Sequence, residues 1–338
     1  MAILVVSSGD PAGIGPEIAL KAWSLRSMYQ VPPFVLLADP DVIRSRARLL
    51  QIHVELELSV FMDNAVKNFQ TALPIIPLKN RQSHQLGMSS PNNAAGIIEA
   101  IERGVQLVQS NHACALVTCP IAKKSLYEAG FEFPGHTEFL AHLAHKTYDK
   151  YYHPVMMLSG PQLKTVPITV HIPFNEVPSR LTSNFIIQTA FIIENDLKKR
   201  FKIASPRLAV AGLNPHAGEK GAIGKEDIEI ITPAIEYLKN KGLNIVGPLP
   251  SDTMFHACAR KAYDVALCMY HDQALIPVKT LDFDTTVNVT LGLPFIRTSP
   301  DHGTAFDIAG KGIASPKSFI AALKLANQLA ENSLIPCQ

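Results

Sequence analysis

The sequence predicts an α/β fold with a largely parallel sheet, and two observations carry this prediction. Short apolar runs of strand length recur along the chain, and longer stretches between them repeat apolar residues every three or four positions. The first pattern is typical of buried strands and the second of amphipathic helices. The two alternate for most of the 338 residues. Strands that alternate with helices favour a parallel sheet, because each crossover between parallel strands needs a long connection.

The elements of the first part of the chain follow this alternation. We predict strands at Ile3–Val6, Phe34–Ala38 and Ala113–Val117, and helices at Ile14–Trp23, Asn93–Val108 and Ala122–Ala129. Pro16 lies near the start of its helix, where a missing backbone N–H costs little. Gly130 follows the third helix in the position that commonly ends one. The stretch Val60–Gly87 is the least regular, and we expect an arm or extra strands there.

The later elements repeat the same order. We predict strands at Val155–Leu158, Val166–His171, Arg207–Leu213, Val265–Tyr270 and Thr285–Leu291, and helices at Leu181–Lys199, Glu226–Lys239 and Ser318–Glu331. The helix Glu226–Lys239 has acidic residues in its first turn and lysine in its last, which the helix dipole favours. No Pro/Ser-rich linker marks a domain boundary.

Composition excludes several classes of protein. Lys and Arg number 31 and Asp and Glu 29, which gives a net charge of +2 without the basic excess that nucleic-acid binding usually leaves. Hydrophobic residues make up 47%, too many for a disordered chain. No run reaches the ~18 apolar residues that a membrane span needs, and the N-terminus lacks the basic region of a signal peptide. We therefore expect a soluble protein of bacterial type in the cytoplasm.

The five cysteines fit a reducing compartment, because their number is odd and no pair has C-x-x-C spacing. We expect them to be buried as small hydrophobic residues. A thiol nucleophile at Cys119 is the alternative.

Polar and small residues cluster in segments that mostly follow predicted strands directly. These segments are Ser7–Glu17, Pro134–Ala141, Val170–Phe174, Gly212–Asp227, Tyr270–Lys279 and Ile296–Pro316. In open α/β sheets, ligands bind beyond the carboxyl ends of the strands. The segments are therefore placed where a binding site is expected.

Histidines recur in these segments at His136, His171, His216 and His271. Three neutral imidazoles that converge on one point would bind a divalent metal. The spacing is not a local metal signature, so hydrogen-bonded structural histidines remain the alternative. We assign the histidines outside these segments to the surface or to structure: His53, His84, His112, His142, His145, His153 and His256.

Two further groups of residues suit anions. Gly9, Gly13 and Gly15 follow a strand and precede a helix, but they match neither the Rossmann nor the P-loop pattern, so a tight turn that lines a cleft is favoured. Lys279, Asn288 and Arg297 lie on either side of a short strand and would suit a phosphate or a carboxylate. A solvated charge near a strand end is the alternative.

The segments taken together resemble the family of 4-hydroxythreonine-4-phosphate dehydrogenases. GDPAGIGPEI, PGHTEFLA, LNPHAGE, PLPSDTMF, YHDQ and HGTAFDIAGKGIASP carry the resemblance, in this order and over nearly the whole chain. The resemblance implies an isocitrate/isopropylmalate dehydrogenase-like, non-Rossmann fold with two α/β domains and an interdomain cleft. We expect residues 1–130 and 275–338 to form the first domain, with the cofactor segment, and residues 131–274 to form the second, with the metal ligands and the dimer interface; these boundaries are placed to about 20 residues.

The same resemblance implies roles for particular residues. His171, His216 and His271 match the metal ligands, with zinc, magnesium or cobalt as the ion and a homodimer whose subunits share the site. Substrate contacts fall on His136, Thr137, Lys279, Asn288 and Arg297, and NAD or NADP contacts on His302, Gly303, Thr304, Ala305 and Asp307. Phe306 departs from the proline of isopropylmalate-type enzymes. The catalytic base stays open between Asp252, Asp272 and Lys279, and the two aspartates are at least as well suited to orienting the metal ligands.

The activity that the resemblance implies is metal-dependent, NAD(P)-linked oxidation of 4-phosphooxy-L-threonine in pyridoxal phosphate biosynthesis. The product, 2-amino-3-oxo-4-phosphooxybutanoate, would lose CO₂ to give 3-amino-2-oxopropyl phosphate. One alternative is the same chemistry on a sugar acid phosphate such as threonate 4-phosphate. Another class of function is a phosphotransacetylase-like acyl or phosphoryl transfer, which would not need the three histidines. A non-catalytic binding module fits poorly with so many polar segments.

Overall fold

The computed structural model describes residues 3–58, 62–83 and 85–333. These residues form two compact units. The first unit comprises Met1–Pro154 and Leu293–Gln338, and the second comprises Val155–Gly292. The boundaries expected near residues 130 and 274 lie earlier in the chain than the boundaries of these units.

The strands and helices are numbered in chain order. The strands are β1 (Leu4–Ser7), β2 (Phe34–Ala38), β3 (Leu56–Leu58), β4 (Leu73–Pro77), β5 (Ala115–Thr118), β6 (Val155–Ser159), β7 (Lys164–Pro167), β8 (Arg207–Ala211), β9 (Asn244–Leu249), β10 (Val265–Cys268), β11 (Val287–Leu291) and β12 (Arg297–Pro300). The helices are α1 (Gly15–Ser24), α2 (Arg26–Tyr29), α3 (Pro40–Leu49), α4 (Met62–Asn68), α5 (Ala94–Gln109), α6 (Lys123–Glu128), α7 (His136–Tyr148), α8 (Val177–Arg180), α9 (Ser183–Lys199), α10 (Thr232–Asn240), α11 (Ser251–Met254), α12 (His271–Asp282) and α13 (Lys317–Ser333).

In the first unit all the strand pairs are parallel. The order is β3-β4-β2-β1-β5-β12, with Leu4 of β1 opposite both Phe34 of β2 and Ala115 of β5. Helix α5 packs on β1, β2 and β5, while α13 packs on β5 and β12. Every residue of β1, β2 and β5 is buried.

The second unit has a mixed sheet. Its order is β11-β6-β7-β10-β8-β9; the pairs β11–β6 and β6–β7 are antiparallel and the other three are parallel. Helix α12 packs on β7 and β10. The predicted α/β class with a largely parallel sheet is therefore confirmed.

Most predicted elements lie within a few residues of those observed, and three regions differ. The irregular stretch Val60–Gly87 contains α4 and β4. The helix predicted at Glu226–Lys239 begins with a π-helical turn, Asp227–Ile231, before α10. The strand predicted at Val166–His171 ends earlier, at Pro167, and His171 has a φ of 51°, outside the extended region.

No helix among the described residues is long and apolar enough to cross a membrane.

Three phenylalanines join the sheet of the first unit to its helices. The ring of Phe34 on β2 lies 5.2 Å from that of Phe69 and 6.1 Å from that of Phe319 on α13, in edge-to-face geometry. All three side chains are fully buried. Trp23 Nε1 donates to the backbone oxygen of Phe69 at 2.9 Å, so the single tryptophan of the chain reports on this cluster.

We predict that Phe34→Ala lowers the free energy of unfolding by about 3–5 kcal/mol, because it leaves a cavity between β2, the turn after α4 and helix α13. Denaturant unfolding followed by Trp23 fluorescence measures the loss. Met28→Ala is the control, because Met28 is 74% exposed and its removal should change little. Equal midpoints for the two variants would show that the cluster does not stabilise the unit.

Candidate functional site

Two of the predicted metal ligands lie side by side in the second unit. The ring centroids of His171 and His271 are 5.5 Å apart. They border a pocket of about 260 Å³ whose wall also includes Thr169, Tyr270 and Asp272. His171 follows β7 by four residues in a left-handed conformation, and His271 is the first residue of α12. The ends of two neighbouring parallel strands, β7 and β10, thus bring these imidazoles together.

One ring nitrogen of His271 contacts the carboxylate of the next residue. Asp272 Oδ1 lies 2.7 Å from His271 Nδ1. A carboxylate that accepts from one ring nitrogen favours the tautomer that leaves Nε2 available to a ligand, as carboxylates bonded to ligand histidines do in metal sites. Asp272 is therefore placed to orient His271, one of the two roles that the sequence left open.

His216 lies in a turn of unusual backbone geometry. Residues 216–220 all have positive φ, between 43° and 74°, and only Gly218 among them is a glycine. For L-residues the left-handed conformation costs roughly 1–2 kcal/mol each, so the four others store roughly 4–8 kcal/mol. Such strain persists only where the surroundings over-determine it, and it concentrates at functional sites. The His216 side chain is exposed.

Among the described residues no three His, Cys, Asp or Glu side chains are grouped to hold a metal ion. The structure thus pairs His171 with His271 and does not bring His216 to them within one chain. The pair itself fits a divalent ion in ligand type, because imidazole nitrogen is a preferred ligand of zinc and related metals and Asp272 orients one ring. If two subunits shared the metal site, one chain alone would also show fewer than three ligands together.

The other predicted residues of the second unit lie on three elements, of which only α12 also carries a residue of this pair. Lys279 is on α12, with Nζ 5.8 Å from the centre of the Phe283 ring. Asn288 is on β11, and its buried Oδ1 accepts no hydrogen bond from the described residues. Asp252 is exposed in the first turn of α11.

Arg297 is a buried cation of the first unit. It is 4% exposed, and its Nε and Nη2 donate to Thr118 Oγ1 at 3.2 and 2.7 Å. Burial lowers the pKa of Arg297 to about 10, with a partial opposing effect from Glu138. The guanidinium therefore remains charged at neutral pH.

His136 begins α7 and is kept neutral. Burial, together with the positive charges of Arg297 and Lys123, holds the pKa of His136 well below its usual range. Its Nε2 is buried and makes no hydrogen bond with the described residues. Thr137 follows on the same helix, half-buried. A neutral imidazole can donate a hydrogen bond to an anionic ligand. It does so without adding a second positive charge to the buried guanidinium.

The predicted cofactor segment lies against the glycine turn near the N-terminus. Ile14 N donates to the backbone oxygen of Thr304 at 3.0 Å, and a Cβ on Gly13 would lie 2.8 Å from that oxygen. Ala305 has a φ of 44° and leads into a short 3₁₀ turn that contains Asp307. His302 Nδ1 lies 3.1 Å from the oxygen of Gly303. The glycines thus allow close backbone packing, as expected for a tight turn.

Sequence reasoning missed the charged residues that hold this segment. Glu17 is fully buried and accepts from Gly310 N at 3.0 Å and Ala314 N at 3.3 Å. Lys21 pairs with Glu17 at 2.9 Å and donates to the backbone oxygens of Gly312 and Ala314. Glu17 lies within a segment that was singled out, but no local pattern links it to residues near the other end of the chain.

The cysteines are placed mostly as expected. Cys114, Cys119 and Cys268 are buried, whereas Cys258 is exposed, and Cys337 lies outside the described residues, as does His84. Burial raises the pKa of the Cys119 thiol far above its usual value. Cys119 is therefore a protonated, inaccessible thiol, and the nucleophile alternative is wrong.

Comparison with known proteins identifies the family. The model of the family described as pyridoxal phosphate biosynthetic protein PdxA matches residues 30–326. The chain is 50% identical over 328 residues to a 4-hydroxythreonine-4-phosphate dehydrogenase of Xanthobacter autotrophicus, covering 97% of this chain and 93% of the relative. It is 52% identical over 330 residues to a relative of the same name from Methylorubrum populi, covering 97% and 94%.

A solved structure agrees with the sequence comparison. The crystal structure of a 4-hydroxythreonine-4-phosphate dehydrogenase from Klebsiella pneumoniae matches with a TM-score of 0.87 at 36% identity, covering 98% of this chain and 100% of that one. The resemblance inferred from the sequence motifs is thereby confirmed, and the chain is an oxidoreductase. The family match spans most of its length and shows that this chain belongs to the PdxA family of pyridoxal phosphate biosynthetic proteins.

Proposed function

We propose that the chain catalyses the NAD- or NADP-linked oxidation of 4-phosphooxy-L-threonine to 2-amino-3-oxo-4-phosphooxybutanoate, which decarboxylates to 3-amino-2-oxopropyl phosphate. The names of relatives about half identical to this chain support the substrate. The observation that carries the chemistry is the pairing of His171 with His271, together with the contact of Asp272 with Nδ1 of His271. We further propose a cytoplasmic homodimer that shares the site, as the resemblance implies.

The proposed metal ligands are His171, His216 and His271. A divalent zinc, magnesium or cobalt ion bound there would act as a Lewis acid toward the substrate hydroxyl, and NAD or NADP would accept the hydride. Asp272 orients His271 through the contact at Nδ1. The base that takes the hydroxyl proton stays open between Asp252, Asp272 and Lys279.

The phosphate and amino-acid head of the substrate need cations and hydrogen-bond partners. We propose that Arg297, Lys279, Asn288, His136 and Thr137 provide them. Two buried polar atoms without a hydrogen bond to described residues, Nε2 of His136 and Oδ1 of Asn288, support this role. A buried polar group without a partner is costly, and a bound ligand that supplies the missing hydrogen bond removes that cost.

The cofactor is proposed to contact His302, Gly303, Thr304, Ala305 and Asp307. Thr304 packs on the turn around Gly13, and Glu17 and Lys21 hold the backbone of residues 310–314, which follow the segment. Backbone that is held at these points reduces the ordering cost of binding a ligand.

The first prediction from this proposed function concerns the substrate and the metal. Metal-replete protein should reduce NAD or NADP with 4-phosphooxy-L-threonine, a chelator should abolish the rate, and added metal should restore it. Initial rates with both nucleotides, and with threonate 4-phosphate beside the amino acid, identify the preferred pair. No turnover of either substrate by metal-replete dimer would reject the proposal, whereas acyl transfer from coenzyme A to phosphate would favour the transferase alternative.

The second prediction concerns Arg297. Arg297→Lys should lower kcat/KM for the phosphorylated substrate by about 10–100-fold, since a lysine cannot keep the two bonds to Thr118 and also present a planar fork. The rate with unphosphorylated 4-hydroxythreonine should fall much less. Arg44→Lys is the matched control, because Arg44 belongs to the same unit but is exposed and paired with Asp41. Equal losses on both substrates would contradict a phosphate contact.

The third prediction uses the depressed pKa of His136. In the unfolded chain a histidine binds a proton below about pH 6.5, whereas folded His136 stays neutral to lower pH. Falling pH therefore favours the unfolded state. Below pH 6.5, His136 should lower the free energy of unfolding by at most about 1.4 kcal/mol for each pH unit. Denaturant unfolding at several pH values between 8 and 5 gives the free energy of unfolding as a function of pH. This free energy should fall less steeply with falling pH for His136→Gln than for wild type. An equally steep fall in both proteins would show that His136 takes up its proton in the folded state.

A further inference from the structure

The turn that carries His216 combines an exposed imidazole with a tightly fixed backbone. His216 is exposed, whereas Gly218, two residues further on, is buried. Five successive residues, 216–220, adopt the left-handed conformation here, and four of them are not glycine. The surrounding contacts must therefore compensate for this backbone, and two buried side chains supply them.

The first of these side chains is Asp227, at the start of the π-helical turn. It is 1% exposed. Its Oδ1 accepts from Leu213 N at 2.9 Å, and its Oδ2 accepts from Asn214 N at 3.1 Å and from Asn214 Nδ2 at 3.0 Å. The carboxylate thus fixes the two residues that lead into the left-handed turn.

Two glycines make room for the same carboxylate. A Cβ on Gly212 would lie 2.8 Å from Asp227 Oδ1, and a Cβ on Gly218 would lie 3.0 Å from Oδ2. The carboxylate therefore contacts the backbone on both sides of His216. A Cβ on Gly212 would also come within 2.7 Å of Ala217 Cα, so the turn folds directly onto Gly212.

The second side chain is Gln273, two residues after His271. Its Nε2 donates to the oxygen of Gly212 and to Ser251 Oγ, both at 2.7 Å, and its Oε1 accepts from Met269 N at 2.6 Å. Gln273 thus connects the junction between β10 and α12, which holds His271, to the residue on which the His216 turn packs.

We infer that Asp227 is a positioning residue: it holds the left-handed turn that presents His216, and Gln273 ties that turn to the segment of His271. Neither side chain is a metal ligand or a substrate contact in the proposed reaction. The inference rests on the proposed function insofar as His216 is taken to bind a metal. Fixing an imidazole in advance removes the ordering cost of metal binding, so the expected effect of losing the support is weaker metal retention.

The test compares two neighbouring carboxylates. Asp227→Asn keeps the shape but sets an amide against the donors of Leu213 and Asn214. Glu226→Gln is the matched control, because Glu226 also accepts from Asn214 Nδ2, at 2.8 Å, but is not enclosed by the two glycines. Zinc affinity is measured by competition with a chromophoric chelator, and backbone protection over residues 212–221 by hydrogen exchange of the metal-free protein.

We expect Asp227→Asn to weaken zinc binding by about 10–100-fold and to lose protection in the turn, while Glu226→Gln stays close to wild type in both. Wild-type zinc affinity and wild-type protection in Asp227→Asn would overturn the inference. If that variant does not fold, Gln273→Met takes its place: weakened zinc binding in a folded protein supports the inference, and unchanged binding overturns it.

His216→Ala separates this inference from the proposed function. If wild type and His216→Ala bind zinc equally, His216 is not a metal ligand and that part of the proposed function fails. The role of Asp227 in holding the turn is then decided by hydrogen exchange alone, and unchanged protection in Asp227→Asn refutes it.

Discussion

A strand that is buried on both faces leaves little room for polar side chains along its length, and this constraint determines where chemistry can occur in each unit. β1 is fully buried, and its one polar residue is the last, Ser7; β5 likewise ends on Thr118, the partner of Arg297. In the second unit β10 is apolar as far as Cys268, and the polar groups begin with Tyr270 and His271. Functional side chains are therefore concentrated at the strand ends, where the chain turns and its backbone can be exposed.

The same constraint explains which elements the sequence could predict. Buried strands can be recognised in a sequence as apolar runs, and the predicted bounds of β2 agree with the observed ones. Helices α7 and α12 were not predicted, because each begins with a site residue, His136 or His271, and the residue before it offers no capping side chain. The polar residues at the start of each helix therefore gave no signal for a helix N-terminus. β12 was missed for the opposite reason: Arg297, Thr298 and Ser299 are polar yet buried, and only their tertiary partners reveal them as a strand.

The candidate site shows a similar division between residues with a local signal and residues without one. Imidazoles after strands could be proposed from the sequence, and the structure pairs His171 with His271. The supporting residues act over long separations: Glu17 bonds to Gly310 and Gln273 to Gly212. Nor does composition indicate the left-handed turn, since only one of residues 216–220 is a glycine. Side-chain chemistry is visible in a sequence, whereas the hydrogen bonds that fix its geometry appear only once the chain is folded.

Burial affects Arg297 and His136 of the first unit in different ways, and the difference bears on the ligand. It lowers the pKa of Arg297 to about 10, which still leaves the guanidinium charged at neutral pH. With the charges of Arg297 and Lys123 nearby, it keeps His136 neutral. The first unit therefore holds a buried guanidinium beside an imidazole that burial keeps neutral. An anionic ligand would be attracted by the charge of that guanidinium, whereas a neutral ligand would not. A single guanidinium also barely alters a net charge of +2, which is why composition alone gave no sign of an anion site.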